Sequence, residues 1–250
     1  MFTIGTLLTQ DNCNIDYRHY QAKHDKVIII AHGFYNSKDA ILLECLAKDL
    51  LDAYDVFMFD FRGHGQSKGL FTWTSKENND LNAVLDYLKG KYKKTGLIAF
   101  SMGGAISINV LSKRGGVDSL VCISCPADVG KIDYQLWKLD LKGDLFYTLF
   151  TREGRKGRGF RPGAFWLKKE KPIDNVGSLT IPILYIHGEK DWVVKPWHSK
   201  ALYEKTTSNK KLVMIKNGPH AEYLMKNSKK EFVGEIKKWL EQVLNEEKDG

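Results

Sequence analysis

Short apolar runs alternate with longer amphipathic stretches along most of the chain. Residues 27–31, 56–59, 97–100, 120–123, 183–186 and 212–215 are almost unbroken in apolar side chains. Strands covered on both faces have this character, so the runs predict a mostly parallel sheet. Between them the period lengthens to that of a helix. Leu81, Val84, Leu85 and Leu88 follow one another at i, i+3, i+4, i+7, and Thr74 and Glu77 ahead of them have the spacing of a capping box. Ser228 and Glu231 repeat that spacing before Phe232, Ile236, Trp239, Leu240 and Val243. Strand–helix alternation predicts an α/β fold with helices on both faces of the sheet. Residues 2–8 and 15–20 read as a leading antiparallel hairpin.

One stretch breaks the alternation. Residues 128–179 contain no strong strand and are dense in aromatics, among them Trp137, Phe146, Phe150 and Trp166. Within it, residues 151–171 carry eight basic side chains against two acidic ones, most of the chain's net charge of +8. An insertion of that size between strands predicts a helical lid. The expected organisation is therefore a core of 1–127 and 180–250 with a lid of 128–179. Trp137, Phe146, Phe150 and Trp166 are expected on the lid's inner face and the Arg and Lys side chains in solvent.

Composition narrows the classes. The chain has 250 residues, 43% hydrophobic and 27% charged, which suits a soluble globular protein. A net +8 is too mild to imply nucleic acid; at most it suggests weak contact with anionic surfaces through the basic lid. No apolar run approaches the ~18 residues of a spanning helix, and residues 1–12 lack the basic start of a signal peptide. A cytoplasmic protein is expected. Cys122 and Cys125 form a C-x-x-C, but inside an apolar run with no second pair at metal spacing. Reduced structural thiols are expected, on opposite faces of a strand. No metal or organic cofactor is implied.

The candidate chemistry sits at the ends of the apolar runs. Ala99-Phe100-Ser101-Met102-Gly103-Gly104 follows one strand and opens a helix, the setting of a nucleophilic serine on a tight turn, with Ala99 in place of the usual first glycine. Ala31-His32-Gly33-Phe34 closes an earlier strand, where the N–H groups of Phe34 and Met102 could hold an oxyanion. Asp60-Phe61-Arg62-Gly63-His64-Gly65-Gln66-Ser67 closes another. His187-Gly188-Glu189-Lys190-Asp191 places an acid at a strand end, and Gly218-Pro219-His220 places a histidine in a Gly/Pro loop.

These motifs together resemble the α/β-hydrolase superfamily over 27–244. The Asp60 to Ser67 run and the closing Gly-Pro-His are similar to the group of monoglyceride lipases, lysophospholipases and carboxylesterases. The resemblance implies Ser101 as nucleophile, His220 as general base, Asp191 as the orienting acid, and Phe34 and Met102 as oxyanion donors. It implies acyl transfer to water from a carboxylic ester with a short-to-medium acyl or aryl-acyl group. Trp192 joins the lid aromatics as a candidate substrate contact. Asp128, also after an apolar run, is the rival acid. Asp60, His32, His64 and His187 read as turn scaffolding. The same triad serves amides, aminoacyl groups and thioesters, and a ligand-binding protein without turnover is the alternative of another class. An unperturbed histidine base would switch activity on near pH 6.5.

Overall fold

In the computed structural model, which describes residues 1–132 and 160–245, one eight-stranded sheet carries the core. Its strands are β1 (Phe2–Leu8), β2 (Asn14–Tyr20), β3 (Lys26–Ala31), β4 (Asp55–Phe59), β5 (Lys94–Phe100), β6 (Ser119–Ile123), β7 (Ile183–Gly188) and β8 (Lys210–Ile215). Their spatial order is β1-β2-β4-β3-β5-β6-β7-β8. β1 and β2 form the expected antiparallel hairpin, β2 joins β4 antiparallel, and every other pairing is parallel.

Alternation along the strands builds two cores. Val27, Ile29 and Ala31 of β3 face one side, with Leu81, Val84 and Leu85 of α2 (Asn78–Leu88) and Ile106 and Leu111 of α3 (Met102–Arg114). Ile28 and Ile30 face the other, with Leu43, Leu46 and Leu50 of α1 (Ile41–Leu50) and Phe232, Ile236 and Leu240 of the C-terminal helix Lys229–Asn245. Burial on both faces accounts for the unbroken apolar runs. Three shorter helices complete the described set: α4 (Pro172–Asn175), α5 (Trp197–Lys205) and α6 (Leu224–Asn227), so that Lys229–Asn245 is α7. Among the described residues no helix is long and apolar enough to cross a membrane.

The order places the site. After β3 the chain steps outward to β4, then returns across β3 to β5. Loops leaving the carboxyl ends of β3 and β5 therefore diverge and open a crevice between them. The His32–Phe34 turn leaves one strand and Ser101 leaves the other.

The Asp60 to Ser67 run is scaffolding, as read from the sequence. Asp60, fully buried, accepts from the Lys38 N–H at 2.7 Å, Lys38 Nζ at 2.9 Å and the Gln66 N–H at 2.8 Å. It thus ties the loop after β3 to the loop after β4. Arg62 donates from Nε and Nη2 to Asp80 Oδ1 at 2.9 and 2.7 Å, and from its backbone N–H to Oδ2 at 2.8 Å. Nη1 and Nη2 also reach Asp11 at 2.6 and 2.8 Å, which holds the Asp11 carboxyl well below the usual range.

Three expectations are corrected. The Thr74–Glu77 capping box does not form. Glu77 is buried and takes the Thr72 N–H and hydroxyl instead, at 2.7 and 2.9 Å, and α2 starts one residue later without a side-chain cap. Cys122 and Cys125 lie in the same buried cluster rather than on opposite faces, because β6 ends at Ile123 and Ser124 turns the chain at φ 48°. All four cysteines are free thiols. Trp166, expected on an inner face, is 73% exposed and packs its ring on Phe165. Of the other lid candidates, Trp137, Phe146 and Phe150 lie outside the described residues.

The stretch 128–179 is described at its two ends only. At its return, Phe160 and Pro162 form isolated bridges to His64 and Phe71, and α4 is tied to α3 through Asn175 Nδ2 to Asn109 Oδ1 at 2.8 Å. Arg161, counted among the basic side chains expected in solvent, is exposed but also bonds the carbonyls of Gly65, Ser67 and Gly69.

Breaking a buried ion pair by removing one partner strands the other charge. Asp80→Ala, which strips Arg62 of its fully buried partner, is expected to lower the unfolding free energy by about 3–5 kcal/mol in urea titrations. A loss under about 1 kcal/mol would show that Asp11 alone suffices for Arg62.

Candidate active site

Ser101 stands between the end of β5 and the start of α3 at φ 46°, ψ −110°, a conformation that side-chain-bearing residues rarely adopt. Its N–H is held by the Ile123 carbonyl at 2.8 Å, and its own carbonyl takes the N–H of Gly104 at 3.0 Å. The turn closes only because its neighbours are small. A Cβ on Gly103 would lie 2.6 Å from the Ala31 carbonyl oxygen and 2.7 Å from that of His32. The first turn of α3 is thereby pressed against the end of β3. The first N–H groups of a helix have no intrahelical partner and favour negative charge. Met102 supplies the first of them here.

His220 follows β8 and Asp191 follows β7. Their loops meet glycine on glycine: a Cβ on Gly188 would lie 2.2 Å from the Pro219 carbonyl oxygen. The Lys190 N–H donates to the Gly218 carbonyl at 2.9 Å across the same contact. This approach brings the His220 Nδ1–H onto Asp191 Oδ2 at 2.7 Å. His220 Nε2 is then the acceptor, and the Ser101 hydroxyl donates to it at 3.1 Å. Three side chains, 90 and 29 residues apart in sequence, form one continuous relay. Ser101 is 8% exposed, the His220 side chain 15% and the Asp191 side chain not at all, so the acid end of the relay is closed to solvent.

The electrostatics suit a proton acceptor. Burial opposes charge on both partners. On Asp191 it is outweighed by His220 and His187, and the carboxyl sits far below its ordinary range. On His220 the same burial is outweighed by the Asp191 carboxylate, with a smaller contribution from Glu222, and the imidazole ends above 6.5.

The turn after β3 flanks the serine. Gly33 packs on it, with a Cβ there 3.4 Å from Ser101 Cβ. His32 sets the turn: the Phe61 N–H donates to its Nε2 at 2.9 Å, so its Nδ1–H donates to the Gly33 carbonyl at 2.7 Å. Fixing that carbonyl fixes the whole peptide plane, and with it the direction of the Phe34 N–H. Burial pushes His32 well below 6.5, so it stays neutral and the tautomer holds. Beside the turn, the Phe34 ring contacts Phe71, Trp73 and Phe160 at centroid distances of 5.3, 6.2 and 4.7 Å. An apolar cluster thus surrounds the Phe34 ring, one residue from the Gly33 that packs on Ser101.

Of the remaining candidates, Trp192 is half-buried in the turn after Asp191. Asp128 is not the carboxylate bonded to His220; it caps its own turn through the Gly130 N–H at 2.9 Å and pairs with Lys171 at 3.0 Å. Sequence reasoning missed two supports. The Ser124 hydroxyl accepts the N–H of Ala221, next to His220, at 3.0 Å. Asn36 Nδ2 donates to Glu222 Oε1 at 2.6 Å, joining the β3 turn to the His220 turn. Neither leaves a motif, because each joins groups more than 90 residues apart, one of them a backbone N–H.

Two outcomes follow from this geometry. Gly103→Ala drives a methyl into two backbone carbonyls that cannot swing aside, so it is expected to cost about 1–3 kcal/mol of stability. Hydrolytic activity should fall further than the stability loss explains, because Met102 moves with the helix end; full activity in a folded Gly103→Ala protein would contradict the contact. A base must be unprotonated to act, and His220 holds its proton to higher pH than a free imidazole. The rising limb of kcat/KM against pH is therefore expected with its midpoint above 6.5, not at it; a midpoint below 6.5 would mean that burial, not Asp191, dominates.

Comparison with known proteins agrees with the topology. The chain matches the α/β hydrolase fold family over residues 26–144 and 129–226. It is 32% identical over 228 residues to protein YqkD of Bacillus subtilis, covering 84% of this chain and 70% of YqkD. It is 28% identical over 173 residues to protein YfhR of Escherichia coli, covering 67% of this chain and 53% of YfhR, so it spans about half of that relative's length. Among solved structures, the Pyrococcus furiosus esterase Pf2001 superposes with a TM-score of 0.79 at 24% identity, covering 98% of this chain and 93% of that one. With its sheet order, its strained serine turn and these matches, the chain belongs to the α/β hydrolase fold family.

Proposed function

We propose that the protein is a serine hydrolase that cleaves carboxylic esters through an acyl-enzyme. The observation that carries the reading is the Ser101–His220–Asp191 relay at a strained strand-to-helix turn. His220 Nε2 takes the Ser101 proton as Oγ attacks the ester carbonyl. The N–H groups of Phe34 and Met102 receive the oxyanion, and Asp191 stabilises the imidazolium without itself taking the proton. His220 then hands its proton to the leaving alcohol. A water deprotonated by His220 releases the acid.

The substrate read from the site is a neutral ester with an apolar acyl or aryl-acyl group, because Phe34, Phe71, Trp73 and Phe160 form an apolar cluster one residue from the Gly33 that packs on Ser101. The likeness to a protein named an esterase supports the same class. In this reading 128–179 acts as a cap over the core 1–127 and 180–250, and four free thiols suit a reducing, cytoplasmic setting.

The test is a set of variants on 4-nitrophenyl esters of graded chain length, run beside an aminoacyl anilide. Ser101→Ala is expected to abolish hydrolysis and labelling by a fluorophosphonate while leaving the unfolding curve in place. Asp191→Asn is expected to lower kcat by about 10⁴, as for an orienting acid, and Asp128→Asn by less than about tenfold. Retention of a tenth of the activity in Ser101→Ala, or equal damage at the two acids, would overturn the assignment; faster anilide than ester turnover would redirect it to amides.

A further inference from the structure

Asp191 has a second imidazole against it. His187, at the end of β7, is fully buried, as is the Asp191 side chain. Its bonding fixes its tautomer. Nε2 lies 2.7 Å from the Val194 carbonyl, which can only accept, so Nε2 carries the proton. Nδ1 is then the acceptor, and the Ser199 hydroxyl of α5 donates to it at 2.6 Å. The same Nε2–H lies 3.2 Å from Asp191 Oδ2, the oxygen that receives His220. Asp191 Oδ1 takes the N–H groups of Val193 and Val194 at 3.0 and 2.9 Å. Three N–H groups thus bond the carboxylate, two on Oδ1 and that of His220 on Oδ2, while the His187 Nε2–H, bonded to Val194, lies beside Oδ2 as a second imidazole edge.

We propose that His187 is a positioning residue of the hydrolytic site, which fixes the Asp191 carboxylate and divides the charge of its Oδ2 between two imidazoles. The inference rests on the reading of Ser101, His220 and Asp191 given above. Physically, His187 does two things. By gripping the Val194 carbonyl it shapes the turn whose N–H groups hold Oδ1, which stops the carboxylate from rotating. By sharing Oδ2 it draws off part of the charge that His220 feels. A donor on the carboxylate that is not His220 lowers the proton affinity of His220. Taking it away leaves Oδ2 to His220 alone and makes that imidazole more basic.

Other charged groups nearby act in the background. Glu222, from the turn after His220, raises it further. His198 of α5 feels His187, Asp128 and Asp191, but burial holds it at about 4. It is therefore neutral throughout the range in which His220 titrates, and its Nδ1 is engaged by the Ala127 N–H at 3.1 Å. Asp128 is occupied by Lys171.

The experiment compares His187→Met, His187→Gln and Ser199→Ala with the parent and with Ser101→Ala, using 4-nitrophenyl acetate. It is paired with ¹H NMR of the low-field proton between His220 and Asp191 as pH is varied. Methionine fills the space without a donor. It is expected to lower kcat about 10- to 100-fold, the scale of a slightly misplaced catalytic group, with KM changed less than about twofold. Both the rising limb and the His220 titration should move up by about half to one pH unit, as expected for losing part of one charge-assisted bond. Glutamine returns an N–H at the Nε2 position and is expected to stay within about threefold of the parent with less than half the shift. Ser199→Ala leaves every partner of Asp191 in place and loosens only the imidazole; it should shift the limb the same way with about a threefold loss in kcat. The proposal falls if folded His187→Met keeps kcat within twofold and an unmoved limb. Should His187→Met not fold, Ser199→Ala decides: no movement of limb or resonance overturns the proposal. Hydrolysis that survives Ser101→Ala would instead sink the underlying reading, and the NMR shift, which needs no turnover, still reports on His187.

Discussion

The Ser101 turn is the constraint around which the site is arranged. Its backbone sits at φ 46°, ψ −110°, a costly conformation for a residue with a side chain. Such a turn persists only when its surroundings leave no alternative. Here β5 is locked between β3 and β6, α3 is pressed by Gly103 onto the end of β3, and the Ser101 N–H is tied to Ile123. The strain lifts the hydroxyl out of the sheet toward His220 and puts the first N–H groups of α3 under it. One local strain thus positions both the Ser101 hydroxyl and the first N–H groups of α3.

The same economy recurs around the serine. Ser124 and Ala221 also carry positive φ, at 48° and 47°, and bond to each other across the site. Tyr35, at 58°, lies one residue past Phe34. These irregular residues sit at the carboxyl ends of parallel strands, where the sheet is rigid on both sides. Two buried clusters, one on each face, supply the rigidity. Polar scaffolding supplies the rest: Asp60 with Lys38, Arg62 with Asp80 and His32 with Gly33 each hold a loop by hydrogen bonds that buried groups cannot make with water.

Charge in the relay is graded from core to surface. Asp191 is fully buried and surrounded by donors, so it remains anionic; His220, slightly exposed, leans on it and holds its proton more tightly. The carboxylate does not need the substrate side for its own stabilisation. Its Oδ1 is held by the backbone of the turn that follows it, and the His187 imidazole lies beside Oδ2. The carboxylate is therefore held in place before anything enters the site.

Much of this was legible along the chain. The six apolar runs became β3 to β8; in β3 to β7 a strand buried on both faces leaves few polar positions, while β8, at the sheet edge, is only partly buried. Ser101, Asp191 and His220 stood out because each follows such a run in a turn rich in small residues. Asp60 and Arg62 read as scaffolding and are scaffolding. Other features depended on distance in three dimensions. Thr74 and Glu77 have capping spacing, yet the buried Glu77 takes the Thr72 N–H and hydroxyl instead. Cys122 and Cys125 share a face only because Ser124 bends the chain. The grip of His32 on the Gly33 carbonyl and the second imidazole beside Asp191 also came from the tertiary structure. Local sequence determines which residues can form a strand, a turn or a relay, through periodicity and backbone preference. Which donor reaches which acceptor is decided by how the loops pack, and that depends on every strand at once.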